Sequence, residues 1–166
     1  MMRMKLAAGW VVLQVAFLSA WAAREETRFL PGRGTSILVR VEPVDPRDLL
    51  RGQFIRLSFP FSRIQAAADT GRSFESGDEV WTVLAPKGGF HEPVRCLAAP
   101  PAALAPGEVL VRGRVDGWRI VYGIEEYYVP EGTPTPNPRD LTVRLRIGDD
   151  FAPRLEEVLL HGRSWP

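Results

Sequence analysis

Few residues in this chain could do chemistry, and their spacing limits what that chemistry could be. The soft metal ligands are two histidines, His91 in "GGFHEP" and His161 in "LLHGRSW", and one cysteine, Cys96 in "EPVRCLAA". They fall at no ligand spacing, since a structural zinc site needs four such groups grouped a few residues apart. The sequence therefore implies no metal and no cofactor. His91 reads as a loop residue, His161 as a strand-end residue before Gly162, and Cys96 as a small buried core residue. One thiol makes no internal disulfide. Nucleophilic hydrolysis needs a hydroxyl or thiol with a base in reach. No G-x-S-x-G elbow is present, and Lys87, in the glycine turn "APKGGF", reads as a solvated side chain. "GRG" at 32–34 is too short to cradle a phosphate.

Carboxylates are the more arguable group. Glu125, Glu126 and Glu131 surround two tyrosines in "EEYYVPEG", and Asp45 and Asp48 precede "RDLLRGQFIRLSF". Two acids do acid/base work when their surroundings split their pKa values. Neighbouring residues on a strand point to opposite faces, so Glu125 and Glu126 do not share one pocket in a regular strand. Ion pairing with Arg47, Arg51 or Arg56 is the plainer use of these acids.

The elements that would position these groups begin with an apolar segment. Met1 to Lys5 carries two positive charges, and Leu6 to Ala23 has only Gln14 and Ser19 as polar residues. As a helix, residues 6–23 would extend roughly 27 Å, close to a bilayer's hydrocarbon thickness. This predicts a transmembrane anchor over 1–24 with its basic end in the cytoplasm. The competing reading is a secretory signal cut after Ala22, since Ala20-Trp21-Ala22 fits the small-x-small rule. Either one sends the rest of the chain out of the cytoplasm, the anchor giving a single-pass inner-membrane protein with a periplasmic domain. The 166 residues carry a net charge of +1, with arginines scattered among acids, which argues against a nucleic-acid binder.

After a polar juncture over 24–34, the pattern is β. In "SILVRVE", Ile37, Val39 and Val41 share a face, and in "QFIRLSF", Ile55, Leu57 and Phe59 do, with Phe54, Arg56 and Ser58 opposite. "DEVWTVLAP" is continuously apolar, as in a strand covered on both sides. Asp116-Gly117 predicts a two-residue hairpin turn between the strands of Val109–Val115 and Ile120–Ile124. Leu141, Val143, Leu145 and Ile147 alternate with Thr142, Arg144 and Arg146 before a turn at Gly148-Asp149-Asp150, and the return strand to Leu160 alternates less cleanly. Phe61–Asp69 is the one further helix weighed. Two proline-rich connections, Ala98–Glu108 and Val129–Asp140, complete the domain, the second with polyproline II character. About eight short strands with Gly/Pro turns predict a mainly β domain over 35–166. Its form is a compact antiparallel sandwich or partly closed barrel, preceded by one N-terminal hydrophobic helix.

The segments "VEPVDPRDLLRGQFIRLSF", "VRGRV", "YGIEEYYVPEG" and "LLHGR", taken in order, resemble the GDYxxLxY family of bacterial membrane-anchored proteins. The resemblance covers nearly the whole chain and implies membrane anchoring but no particular activity. The naming motif falls on Gly52, Gln53, Phe54, Leu57 and Phe59, after Arg51. The family's acid is Gln53 here and both tyrosines are phenylalanines. Every ionisable group of the motif is gone while size and aromaticity remain, so acid/base work by the motif is excluded in this chain. "TPTPNPRD" is likewise too proline-rich for the helical stretch that the family pattern implies there.

The expected function is non-enzymatic: an envelope protein whose β-domain binds a partner protein or envelope component. Its surface would combine the outer face of the motif strand, Phe54 and Arg56, with Tyr127, Tyr128, Pro130 and Glu131. The alternatives are a hydrolase of envelope material using Glu125–Glu131, and a small-ligand or lipid carrier if the barrel were hollow. Large inward residues argue for a filled core.

Overall fold

The computed structural model describes residues 10–22, 34–42, 54–63, 74–134 and 136–166. Motif residues Arg51, Gly52 and Gln53, the juncture over 24–33, and residues 64–69 of the weighed helix lie outside them. The chain divides into two compact units, Met1–Arg33 and Gly34–Pro166.

In the first unit, residues 10–22 are helical and expose Trp10, Leu13, Phe17, Leu18 and Trp21. Among the described residues no helix is long and apolar enough to cross a membrane. Residues 6–9 and 23 of the expected anchor are not among them.

The second unit is mainly β, and every strand pair is antiparallel. Its strands are β1 (Thr35–Arg40), β2 (Phe54–Arg56), β3 (Glu79–Lys87), β4 (Phe90–Leu97), β5 (Val109–Asp116), β6 (Arg119–Val121), β7 (Glu126–Tyr128), β8 (Leu141–Ile147), β9 (Pro153–Leu160) and β10 (Arg163–Ser164). They form two four-stranded sheets, β1-β8-β9-β10 and β4-β3-β5-β6, and a β2-β7 ribbon. The segment containing β2 joins the two sheets. Glu42 bridges Ser58 just after β2, and Arg63 bridges Arg119 at the segment's end. The Arg112 N–H also donates to the Phe151 carbonyl at 2.8 Å, tying β5 to the β8–β9 turn. On the far side β4 lies beside β1 without pairing to it, held by Arg40, which stacks 4.4 Å over the Phe90 ring and sits 3.9 Å from Glu92. The result is a curled, partly closed barrel, one of the two forms that the strand pattern allows.

Alternation places the core. Ile37 and Val39 of β1, Val143 and Leu145 of β8, Val111 and Val115 of β5, and Val80 and Leu84 of β3 all point inward and are buried. The outer face of β3 is covered as well: Val83 is buried and Trp81 meets Phe151 edge-on at 5.5 Å. Leu141, Val143, Leu145 and Ile147 are buried, as their spacing predicts. The weaker alternation of β9 has a cause. Arg144 pairs Glu157 while Leu145 pairs Leu155, so Glu156 is an extra, bulged residue. There it accepts from Arg146 and Ser36 on the surface.

Three expectations are corrected. His91 is not in a loop but is the second residue of β4. The strand tolerates the following Pro93 because its register shifts there, Val83 pairing Arg95 and Leu84 pairing Pro93, and proline is accepted at such bulges. The β5–β6 turn is Gly117-Trp118, one residue later than predicted, since Asp116 pairs Arg119. Gly117 at φ 61 takes the first central position of a type II′ geometry, which only glycine adopts cheaply. Finally, no helix begins at Phe61. Pro60–Ser62 is a single 3-10 turn, and Arg63 is extended at φ -91, ψ 122.

Candidate functional site: the motif ribbon and its floor

The described part of the motif, residues 54–59, is split by strand geometry into two layers. Ile55, Leu57 and Phe59 point inward and are at most 2 % exposed. The chain then turns at Pro60, which sends Phe61 back into the same layer. Phe59 and Phe61 stack with centroids 5.1 Å apart, and Tyr122 meets Phe61 edge-on at 4.9 Å.

Tyr122 ties this aromatic floor to the opposite sheet. Its hydroxyl donates to the Phe61 carbonyl at 2.9 Å. That uses its one proton, so at the 2.8 Å contact Thr82 Oγ1 is the donor to Tyr122 Oη. Cys96 Sγ lies 3.9 Å beyond Thr82 Oγ1. Burial pushes the Tyr122 phenol strongly upward, against a smaller downward pull from Thr82. Burial also raises the Cys96 thiol, so this row of groups is protonated and inert at neutral pH. Gly113 makes the arrangement fit: a Cβ there would lie 2.6 Å from Ile120 Cγ2 and 2.7 Å from the Tyr122 ring.

The outer layer is different. β2 and β7 pair Phe54 with Tyr128, Ile55 with Tyr127, and Arg56 with Glu126. The Phe54 and Tyr128 rings touch at 5.9 Å, tilted by 57°. Phe54 is half-buried beneath Tyr128, which is itself 70 % exposed. Arg56 lies directly across from Glu126, a position that favours opposite charges. Tyr127 does not join this surface. It points to the inner side, packs against Trp165 at 6.2 Å and donates to the Trp165 carbonyl at 3.2 Å. Pro130 ends the ribbon and opens an exposed turn containing Glu131, closed by Thr133 Oγ1 donating to the Pro130 carbonyl at 2.6 Å.

The three acids proposed for hydrolysis are separated by this geometry. Glu125 is committed to the backbone: its carboxylate accepts from the N–H groups of Tyr122 at 2.6 Å and Gly123 at 2.8 Å. Glu126 faces out beside Arg56, and Glu131 lies in the turn beyond Pro130. Among the described residues no group of three or more His, Cys, Asp or Glu could hold a metal ion. His91 lines a cleft of about 260 Å³ with Arg40, Pro60 and Phe90, and burial lowers its pKa against an opposing hydrogen bond to the Gly107 backbone. No local signal marks the Tyr122–Thr82 contact, which joins residues 40 positions apart.

The profile that matches this chain is described as "GDYXXLXY protein", and it matches residues 14–158. The chain belongs to the GDYXXLXY family. No curated protein and no solved structure matches it. For this member of the GDYXXLXY family the motif's last leucine and aromatic are core, and its first aromatic is the one that reaches the surface. The position of the family's acid, Gln53, lies outside the described residues.

Proposed function

We propose that this protein is a membrane-tethered envelope protein whose β-domain docks a partner protein through the outer face of the β2–β7 ribbon. The observation that carries the reading is the Phe54–Tyr128 pair. A tyrosine 70 % exposed and propped on a half-buried phenylalanine is a rigid aromatic anchor of the kind that dominates protein interfaces. Arg56 and Glu126 beside it supply a polar rim. The tether is supported by the exposed apolar side chains over residues 10–22 and the apolar run of 6–23 that contains them. An extracytoplasmic domain is the reading that Arg3 and Lys5 ahead of that run support. The capping role of Glu125 weighs against the hydrolase reading. The aromatic floor of Phe59, Phe61 and Tyr122 fills space that a lipid or small ligand would need.

The reading is tested by site-specific photocrosslinking in intact membranes, with the photoreactive residue at position 128 and, as a control, at exposed position 139 in the 3-10 turn Pro138–Asp140 before β8. A discrete adduct from position 128 that disappears in Phe54→Ala supports it. Equal labelling at both positions, or release of the protein by carbonate washing, contradicts it.

A further inference from the structure

The partner's mode of binding can be read from the backbone of β7. Leu57 N–H donates to the Glu125 carbonyl at 2.7 Å, which makes Leu57 and Glu125 a hydrogen-bonded antiparallel pair. Such pairs alternate along a ladder, so Ile55 and Tyr127 are the next one. The pairs Phe54–Tyr128 and Arg56–Glu126 are then the non-hydrogen-bonded kind, in which side chains approach most closely while N–H and C=O groups turn away from the partner strand. The backbone groups of Glu126 and Tyr128 therefore point to the side of β7 opposite β2. Among the described residues, none of these four groups has a partner. The same two residues carry the exposed side chains of the proposed docking surface. Recognition groups and open backbone groups thus coincide on one edge.

Resting on the docking surface proposed above, we propose that the partner contributes an extended segment that adds to β7 as an antiparallel or parallel edge strand. Three physical points favour an extended chain over a helix or a flat surface. Two N–H and two C=O groups in strand spacing match the spacing of another extended backbone, which takes all four in place of water. A two-stranded ribbon is marginal by itself, and a third strand completes it. Pro130, placed just past the edge, stops pairing beyond the Tyr128 end and limits the added strand to a few residues, which guards against open-ended aggregation. Cross-strand preferences set the segment's chemistry. An aromatic or β-branched residue would lie opposite Tyr128, and a Lys or Arg two positions away opposite Glu126.

The test selects a phage-displayed library of ten-residue peptides on the full-length protein in nanodiscs, then resynthesises the enriched peptides. The expected result is enrichment of a basic residue two positions from an aromatic or β-branched one. Glu126→Pro removes the carboxylate and an N–H that points away from β2, so it should leave β2–β7 paired while weakening these peptides by about tenfold or more beyond the loss seen in Glu126→Ala, as for loss of a central ladder bond. Glu126→Ala, which keeps the N–H, should weaken them less. N-methylation of the peptide at alternate residues, which needs no protein variant, should abolish binding in one register and spare it in the other. Peptides that bind Glu126→Pro as well as the parent, and tolerate N-methylation in both registers, overturn strand addition. If those peptides still depend on Phe54 and Tyr128, the docking surface stands and only the strand mode fails. If they ignore Phe54 and Tyr128, or no peptide is enriched, both fall.

Discussion

Substituting Tyr122 by Phe removes one oxygen from the centre of the domain and tests whether the polar link under the motif is structural. The ring would stay, keeping its edge contact with Phe61 at 4.9 Å. The buried Phe61 carbonyl would lose its donor at 2.9 Å, and Thr82 Oγ1 its acceptor at 2.8 Å. Thr82 has only the Cys96 sulfur, 3.9 Å away, to turn to. An orphaned buried carbonyl costs about 1–3 kcal/mol, and the displaced hydroxyl adds less, so the expected loss is about 2 kcal/mol. In a domain of this size that lowers Tm by about 4–8 °C. Thr82→Val leaves the Tyr122–Phe61 bond in place and should cost about 1 kcal/mol. The double variant should fall short of the sum by about 0.5–1 kcal/mol, because the shared bond is lost once. Urea unfolding of the full chain in detergent, followed by near-ultraviolet circular dichroism, supplies all four corners of the cycle. The pH dependence gives a second readout. Burial holds the folded Tyr122 phenol above its unfolded value near 10, so its contribution is whole below that pH and is lost as pH rises beyond it. The parent should lose up to about 1.4 kcal/mol per pH unit there from this one proton, and Tyr122→Phe should lack that slope. Cys96 contributes its own decline from lower pH in both proteins, so the comparison isolates the phenol. A Tyr122→Phe protein within about 0.5 kcal/mol of the parent, or strict additivity with Thr82→Val, would mean that the buried hydroxyl does not hold the motif in place.

Other outcomes follow from the same geometry. Gly113→Ala should destabilise by about 1–3 kcal/mol through overpacking, because its Cβ would lie 2.6 Å from Ile120 and 2.7 Å from Tyr122; chemical denaturation measures it. Phe59→Ala should cost about 3–5 kcal/mol in the same assay, since Phe59 is 0 % exposed and a large cavity would remain. Glu125→Ala should lower unfolding free energy by about 1–2 kcal/mol by releasing the Tyr122 and Gly123 N–H groups, and Glu125→Gln by less, since it retains one acceptor oxygen.

What the sequence made legible was periodicity. Ile55, Leu57 and Phe59 on one side, and Leu141 through Ile147 at alternate positions, were readable because one buried face imposes a period of two. The turn at Gly117-Trp118 slipped by one residue because glycine suits either central position, and the choice rests on cross-strand register. His91 read as a loop residue because Gly88, Gly89 and Pro93 surround it, yet the bulge opposite Val83 and Leu84 absorbs the proline. The outward reach of Phe54 was legible from alternation. That Tyr128 would cap it, and that Tyr127 would turn to Trp165, depended on the pairing register of β2 with β7, which no local signal encodes. The Tyr122–Thr82 contact is hidden for the same reason: it exists only once β3 and the segment after β6 lie together.

The central claim is that the motif's outer aromatic serves recognition while its inner residues hold the fold. Phe54→Ala and Tyr128→Ala, made together, are read for unfolding free energy and, with a photoreactive residue newly placed at position 56 beside them, for the yield of the crosslinked adduct in membranes. The expected result is an unfolding free energy within about 1 kcal/mol of the parent, as for partly exposed contacts, and loss of the crosslinked adduct. A large fall in stability, or an adduct that persists in the stable double variant, would contradict it.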